Sequence, residues 1–366
     1  MRVCHTLEPV FDDPNLIAHG GLPAVMDLAE QAGLHELVDA HVTVPGTAGA
    51  NTPTKVSTII AGLVVGADSI SDLDVLRHGG MERIFTGLRA PTTLGTHLRG
   101  YQFGHVRQLD AVASRLLARL ATVSPILAGA EQMVFLDVDD TIRETHGYQK
   151  QGAAYGYSKV KGLNAQVAIL STPLAAPVIA ATRLRKGNIN SGHGAARLIA
   201  DSLATLRRAT TPGMVIVRAD SAYYRHDVIT AARAGGAKFS VTARLNKAVV
   251  KAIASIQEPA WTPIRYPNAI YDDEQQRWIS DAEVAEVPFT AFTSYPKADQ
   301  VTARLIIRRV KRLNPKVAKT QDELVPGYRY HAVFTNTTLA MVQAETCHRD
   351  HAIIDYPEVP VMPMLT

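Results

Sequence analysis

Three aspartates close a short apolar run in VFLDVDDT, Val134 to Thr141: Asp137, Asp139 and Asp140. A second apolar run, Met214 to Val217, ends at another acid, Asp220. Each run reads as a buried strand that delivers a carboxylate to a cleft. Crowded carboxylates repel one another unless a cation or a proton relieves them, and hard divalent cations choose oxygen ligands. Asp139 and Asp220, from neighbouring strand ends, could hold two Mg²⁺ ions roughly 4 Å apart. One ion would activate the attacking oxygen and the other stabilise the leaving one, which is phosphodiester chemistry, and a third carboxylate would have to close the site. The plainer reading is a solvated acidic turn, since Asp is common where strands stop. It requires both strand ends to lie open to water.

The elements that must position these acids form an alternating pattern. After the Val134 strand come β-compatible runs at Ala165 to Leu170 and Val178 to Leu184, then a helical stretch from about Gly194 to Arg208. The Met214 run follows, then a helix around Val228 to Ala234, a Gly235-Gly236 stop and a strand at Lys238 to Ala243. Three strands joined by short turns are expected to be antiparallel. The two later strands, reached by helical crossovers, are expected to be parallel to the first. That gives an α/β fold with a mixed sheet in the strand order of a ribonuclease-H-like core.

Before this core the pattern is helical. A segment from Leu22 to Val38 is amphipathic around Gly33, and further helices are expected at Lys55 to Val65, Ser71 to Leu76 and Leu109 to Leu127. Between Arg77 and Arg119 lie seven arginines (Arg77, Arg83, Arg89, Arg99, Arg107, Arg115, Arg119) and His78, His97 and His105, against Glu82 and Asp110. Arg115 and Arg119 are four apart and share a helix face. The cluster reads either as a phosphate-contacting surface or as an ordinary solvated face. After the core, residues 244–335 leave the helix and strand alternation and read as a β-rich insertion, with one last helix from about Leu339. Its run from Arg304 to Lys319 holds seven basic residues and no acid, which fits DNA contact or a charged edge strand that blocks aggregation. The organisation is therefore residues 1–128 helical, 129–243 the first part of the core, 244–335 the insertion, and 336–366 the final core helix.

Composition excludes several classes. The 366 residues carry 38 Lys and Arg against 34 Asp and Glu, a formal charge of +4, so clustering and not the total points to a polyanionic partner. Cys4 and Cys347 have neither zinc-site nor disulfide-framework spacing. The longest aliphatic run, Ile59 to Val65, is too short for a bilayer and the N-terminus has no signal-peptide pattern. The expected setting is cytoplasmic, at the nucleoid.

Over five residues, DVDDT fits the DxDxT signature of haloacid-dehalogenase-like hydrolases, in which Asp137 would attack phosphorus and Asp139 act as general acid. That resemblance also calls for GDxxxD. The second strand reads VRADSAYYR, without the glycine and with Tyr224 in place of the last aspartate.

A longer set of motifs resembles the DDE-type insertion-sequence transposases: LDVDDTIRETHGYQKQGAAYGYSKVKGLNA, RLRKGNINSGHGAARLI, VRADSAYYRHDVI, and YHAVFTNTTL with HRDHAII. Together with APTTLGTHLRGYQFGHVRQLDAV in the helical region, the resemblance runs from about Phe11 to Ile354. It implies a helical DNA-binding region, a ribonuclease-H-like core and a β-rich insertion before the third acid. Carried over by motif, the metal-binding catalytic acids are Asp139, Asp220 and, after HRDHAII, Asp355, with Asp137 a weaker candidate for the first. The implied cofactor is Mg²⁺ or Mn²⁺. The implied partner is double-stranded DNA, both element ends and target, bound by a homodimer that pairs two ends. Lys150, Tyr155, Tyr157, Lys159 and Arg225 flank the acids as candidate phosphate contacts.

The family pattern places glutamate where Asp355 stands, and Tyr356-Pro357, Pro360 and Pro363 oppose a continuing helix. The resemblance thus leaves a second expectation beside the active enzyme: a C-terminally truncated remnant that binds element ends but cuts weakly or not at all.

Overall fold

A computed structural model describes residues 13–146, 150–156, 158–265, 271–272, 277–278, 282–311 and 328–350. These divide into two compact units, residues 13–126 and residues 127–350.

The first unit is helical: α1 Leu22–Gln31, α2 Leu34–His41, α3 Thr52–Val64, α4 Met81–Ile84, α5 Pro91–Arg99 and α6 Phe103–Val123, with 3₁₀ turns at Gly46–Gly49 and Ser71–Arg77. The segment expected around Gly33 is two helices. Gly33 has φ +77°, which a residue with a Cβ adopts at a cost, so the chain turns there and the apolar stripe is split between α1 and α2. Leu34, Leu37, Val38, Val56 and Val112 meet in one core, and Leu22, Met26, Leu76 and Met81 in another. The stretch expected to be helical at Ser71 to Leu76 is the 3₁₀ turn.

The second unit is built on a ten-stranded sheet. In chain order its elements are β1 Met133–Glu144, β2 Ala154–Tyr155, β3 Lys161–Ser171, β4 Val178–Lys186, α7 Ala195–Ala209, β5 Met214–Ala219, α8 His226–Ala234, β6 Lys238–Thr242 and α9 Lys247–Ala254. These are followed by β7 Thr262–Ile264, β8 Tyr271–Asp272, β9 Arg277–Trp278, β10 Ala282–Ala291, β11 Val301–Lys311, β12 Tyr328–Thr335 and α10 Met341–Arg349. β3 pairs antiparallel with β1 and β4 antiparallel with β3, while β5 runs parallel to β1 and β6 parallel to β5. The order β4-β3-β1-β5-β6, with α7 and α8 as the crossovers, agrees with a ribonuclease-H-like core.

The residues after β6 bring two differences from the sequence reading. Helix α9 lies inside the stretch expected to be β-rich: Asn246 caps it by accepting from the N–H groups of Ala248 and Val249, and Val249 and Ile253 are buried. The later strands also continue the core sheet. β12 pairs antiparallel with β6, then β11, β10 and β7 follow in order, so the basic strand β11 is interior and not an edge. On the α7 and α8 side the sheet buries Val138, Val217, Val241 and Phe334; on the other side α10 packs over Val284, Ile306 and Val333.

Candidate active site

Register puts the acids in rows. Asp137 on β1, Arg218 on β5 and Ser240 on β6 are mutual partners across the parallel strands, so their side chains share a face. Two residues on, the same face carries Asp139, Asp220 and Thr242. Asp220 is still extended, at φ −75° and ψ −175°, so the alternation carries through it. The β1–β5 pairing ends at Val138 opposite Ala219, one residue short of the acids. β1 continues to Glu144 along β3 alone, and β5 gives way to a 3₁₀ turn at Ser221–Tyr223. Asp139 and Asp220 therefore flank the point where two adjacent strands part, with Asp139 half-buried and Asp220 exposed. Asp220 Oδ1 accepts from the N–H of Ala222 at 2.8 Å, and Asp139 Oδ1 from the N–H of Asp140 at 2.8 Å.

The other two aspartates of VFLDVDDT are committed elsewhere. Asp137 is 1% exposed and takes a bidentate pair from Arg218, Nε at 2.6 Å and Nη2 at 2.7 Å. A carboxylate so enclosed is in no position to attack phosphorus, which removes the residue a haloacid-dehalogenase-like reaction needs first. Asp140 points to the opposite face, as strand alternation requires, and accepts from Asn164 Nδ2, from Arg185 Nη2 at 3.0 Å and from the Tyr223 hydroxyl at 3.4 Å. Burial, reinforced by the Asp140 charge, drives the Tyr223 pKa far above the usual phenol value, so its hydroxyl remains a donor.

Helix α10 closes the Asp139 face. His348 bridges Ser240 Oγ at 3.0 Å and Thr242 Oγ1 at 2.9 Å, and the Cys347 carbonyl accepts from Arg218 Nη1 at 2.5 Å. Glu345, the buried acid of α10, is held by Arg308 at 2.8 Å, over β11. Asp355, the expected third acid, lies outside the described residues, as do Tyr157, Arg312, Lys316 and Lys319. Among the described residues no group of three or more His, Cys, Asp or Glu side chains forms a metal-holding cluster. Asp139 and Asp220 do fit a divalent cation in donor chemistry, as two carboxylates in one row, and they make up part of a ligand set.

Several expected DNA contacts are engaged within the protein. Arg77 pairs with Asp74 at 2.8 Å, Arg107 with Asp110 at 2.9 Å and Arg119 with Glu36 at 2.9 Å, while Arg83 bonds Asn15. His97 is fully buried. In β11, Arg304 pairs with Glu286, and Arg309 lies between the rings of Trp261 and Tyr328 while bonding Glu258 and Glu283. Arg225 is paired with Asp227 at 2.9 Å; Tyr155 and Lys159 are exposed and Lys150 is half-buried.

The residues that tie the acids into the fold, Arg218, Arg185 and His348, were not singled out in the sequence. For Arg218 there was a signal: a charge inside the apolar run MVIVRA, two residues before Asp220 and so on the same face.

A mixed sheet whose adjacent parallel strands end in carboxylates agrees with a ribonuclease-H-like core, and comparison with known families places the chain more closely. Residues 5–322 match the family described as Transposase DDE domain group 1, and the chain belongs to that family. No curated protein matches it. No described helix is long and apolar enough to cross a membrane.

Proposed function

We propose that the protein is a DNA transposase that cuts at insertion-sequence ends and joins the freed 3′ hydroxyl to target DNA. Asp139 and Asp220 act as metal-holding acids, with Asp355 as the third. The observation that carries this reading is the shared row of Asp139 and Asp220 at the parting of β1 and β5, within a chain of the transposase DDE domain family. When bound, Mg²⁺ or Mn²⁺ supplies charge neutralisation at the scissile phosphate and activation of the attacking oxygen. The chain's own residues supply the geometry. Asp139 and Asp220 present carboxylate oxygens to the same space, and the neutralised Asp137 and Asp140 hold Asp139 from both faces of the strand.

The partner is double-stranded DNA, with two ends brought together by a homodimer at the nucleoid. Binding runs through the helical unit, by arginines such as Arg77, Arg107 and Arg119 that can leave their surface ion pairs for phosphate, assisted by the basic run from Arg304 to Lys319. Affinity should fall with salt by roughly 0.9 log unit per phosphate contact for each log unit of salt. The test uses duplexes carrying the ends that flank the gene. Asp139→Asn and Asp220→Asn should each bind these duplexes as the parent does and fail to nick them in Mg²⁺ or Mn²⁺, because an amide is a poorer ligand for a hard cation. Variants that cut as well as the parent would overturn the assignment. A parent that binds but does not cut, and gains cutting through Asp355→Glu, would establish the end-binding remnant instead.

A further inference from the structure

The row beneath the acids contains a buried ion pair whose presence needs a reason. Replacing such a pair by apolar side chains of similar volume is often neutral or stabilising, so burial of Asp137 and Arg218, each 1% exposed, is not explained by stability. What the pair provides is a fixed geometry. Arg218 grips Asp137 of β1 with two nitrogens, extends the third to the Cys347 carbonyl of α10, and lies over the Phe135 ring at 4.0 Å. One planar group thus joins β1, β5 and α10. Its position matters because the main-chain pairing of β1 and β5 stops at Val138 and Ala219, so no backbone rung spans the row of Asp139 and Asp220. Relative placement of those acids depends on what fixes the rungs just below. A two-point guanidinium–carboxylate fork between register partners does this, and a slip by one residue would turn every side chain to the other face.

We propose that Asp137 and Arg218 are a positioning pair that sets Asp139 and Asp220 side by side and seats the last turn of α10 beside them. The inference rests on Asp139 and Asp220 being the metal-holding acids. His348, bonded to Ser240 and Thr242 in the same two rows, is the second anchor of that turn.

The test measures Mn²⁺ affinity directly, from the electron paramagnetic resonance of free Mn²⁺, on the full chain beside its thermal melt. Four proteins are compared with the parent: Asp139→Asn, Asp220→Asn, Arg218→Lys, and the double replacement Asp137→Leu with Arg218→Met. The double replacement should melt at or above the parent temperature and bind duplex DNA unchanged, yet hold Mn²⁺ more weakly by on the order of tenfold. Lysine at 218 keeps the charge but cannot make the fork and reach the Cys347 carbonyl together. It should weaken Mn²⁺ binding without a comparable loss of melting temperature, and it decides the question should the double replacement not fold. Parent-like Mn²⁺ affinity in either Arg218 variant, while Asp139→Asn and Asp220→Asn lose it, would overturn the positioning role alone. Parent-like affinity in Asp139→Asn and Asp220→Asn would overturn the metal assignment on which it rests.

Discussion

The arginines of the helical unit and those of the sheet unit are the same residue put to opposite uses. Arg77 and Arg107 reach acids three residues away and Arg119 reaches Glu36 of α2, all at the surface, with more than a third of each arginine side chain exposed. Arg185 and Arg218 are 8% and 1% exposed and make their pairs in the interior. A surface pair competes with water and salt and contributes little, whereas breaking a buried pair leaves an uncompensated charge in the interior. Sequence context separates the two uses only in part: Arg218 stands alone in the apolar run MVIVRA, but Arg185, in RLRK, and Arg309, in the basic run of β11, are buried although clustered.

This contrast can be broken at graded cost. Arg218→Ala strands the Asp137 carboxylate and should lower unfolding free energy by about 3–5 kcal/mol, read from a urea midpoint. Removing Asp137 at the same time should recover much of that loss. Arg185→Ala should cost less, about 2–3 kcal/mol, because Asn164 and Tyr223 still donate to Asp140. Arg119→Ala should leave the urea midpoint unchanged and instead alter the salt dependence of duplex binding, provided Arg119 exchanges Glu36 for phosphate.

The helical unit has one buried group that should report on pH. His97 Nδ1 meets the Ala48 carbonyl at 2.7 Å, so Nδ1 carries the proton, and Nε2 accepts from the Tyr101 hydroxyl at 3.2 Å. Burial holds the His97 pKa below its usual value of 6.5. The neutral form is the one the fold accommodates, so its contribution is complete above pH 6.5 and is lost as pH falls through and below that value. Protection factors, which correct exchange for its intrinsic pH dependence, should fall across α5 and the Gly46–Gly49 turn between about pH 7.5 and about pH 5.5, and His97→Gln should flatten that response. Equal protection factors at both pH values would rule out the titration.

Much of the core was legible because its signals are local. Alternation and length located β1, β3, β4, β5 and β6, and the short turns against helical crossovers separated antiparallel from parallel neighbours. Less was legible where the deciding contact is distant. Met81–Ile84 and Pro91–Arg99 are helices too short or too polar to announce themselves, and α9 depends on an Asn cap and two buried residues in a stretch dominated by aromatic residues. Within the site, spacing could propose Asp139 and Asp220, but three aspartates in four positions look alike until their partners are seen. The partner of Asp137 is 81 residues away and that of Asp140 is 45. The continuation of the core sheet through β12 could not be read at all, since nothing in either strand names its neighbour.

That continuation has a consequence for how the molecule is made. β6 is completed at Thr242, but the strand that covers its edge, β12, begins at Tyr328, and the contacts that seat α10 span 129 residues from Arg218 to Cys347 and 108 from Ser240 to His348. Contacts this distant form slowly, and on a ribosome they wait for the rest of the chain to emerge. Throughout that interval the apolar β6 edge stays open to pairing with other chains. The acid row is thus finished late, since the contacts that seat α10 beside it can form only once residues 347 and 348 have been synthesised.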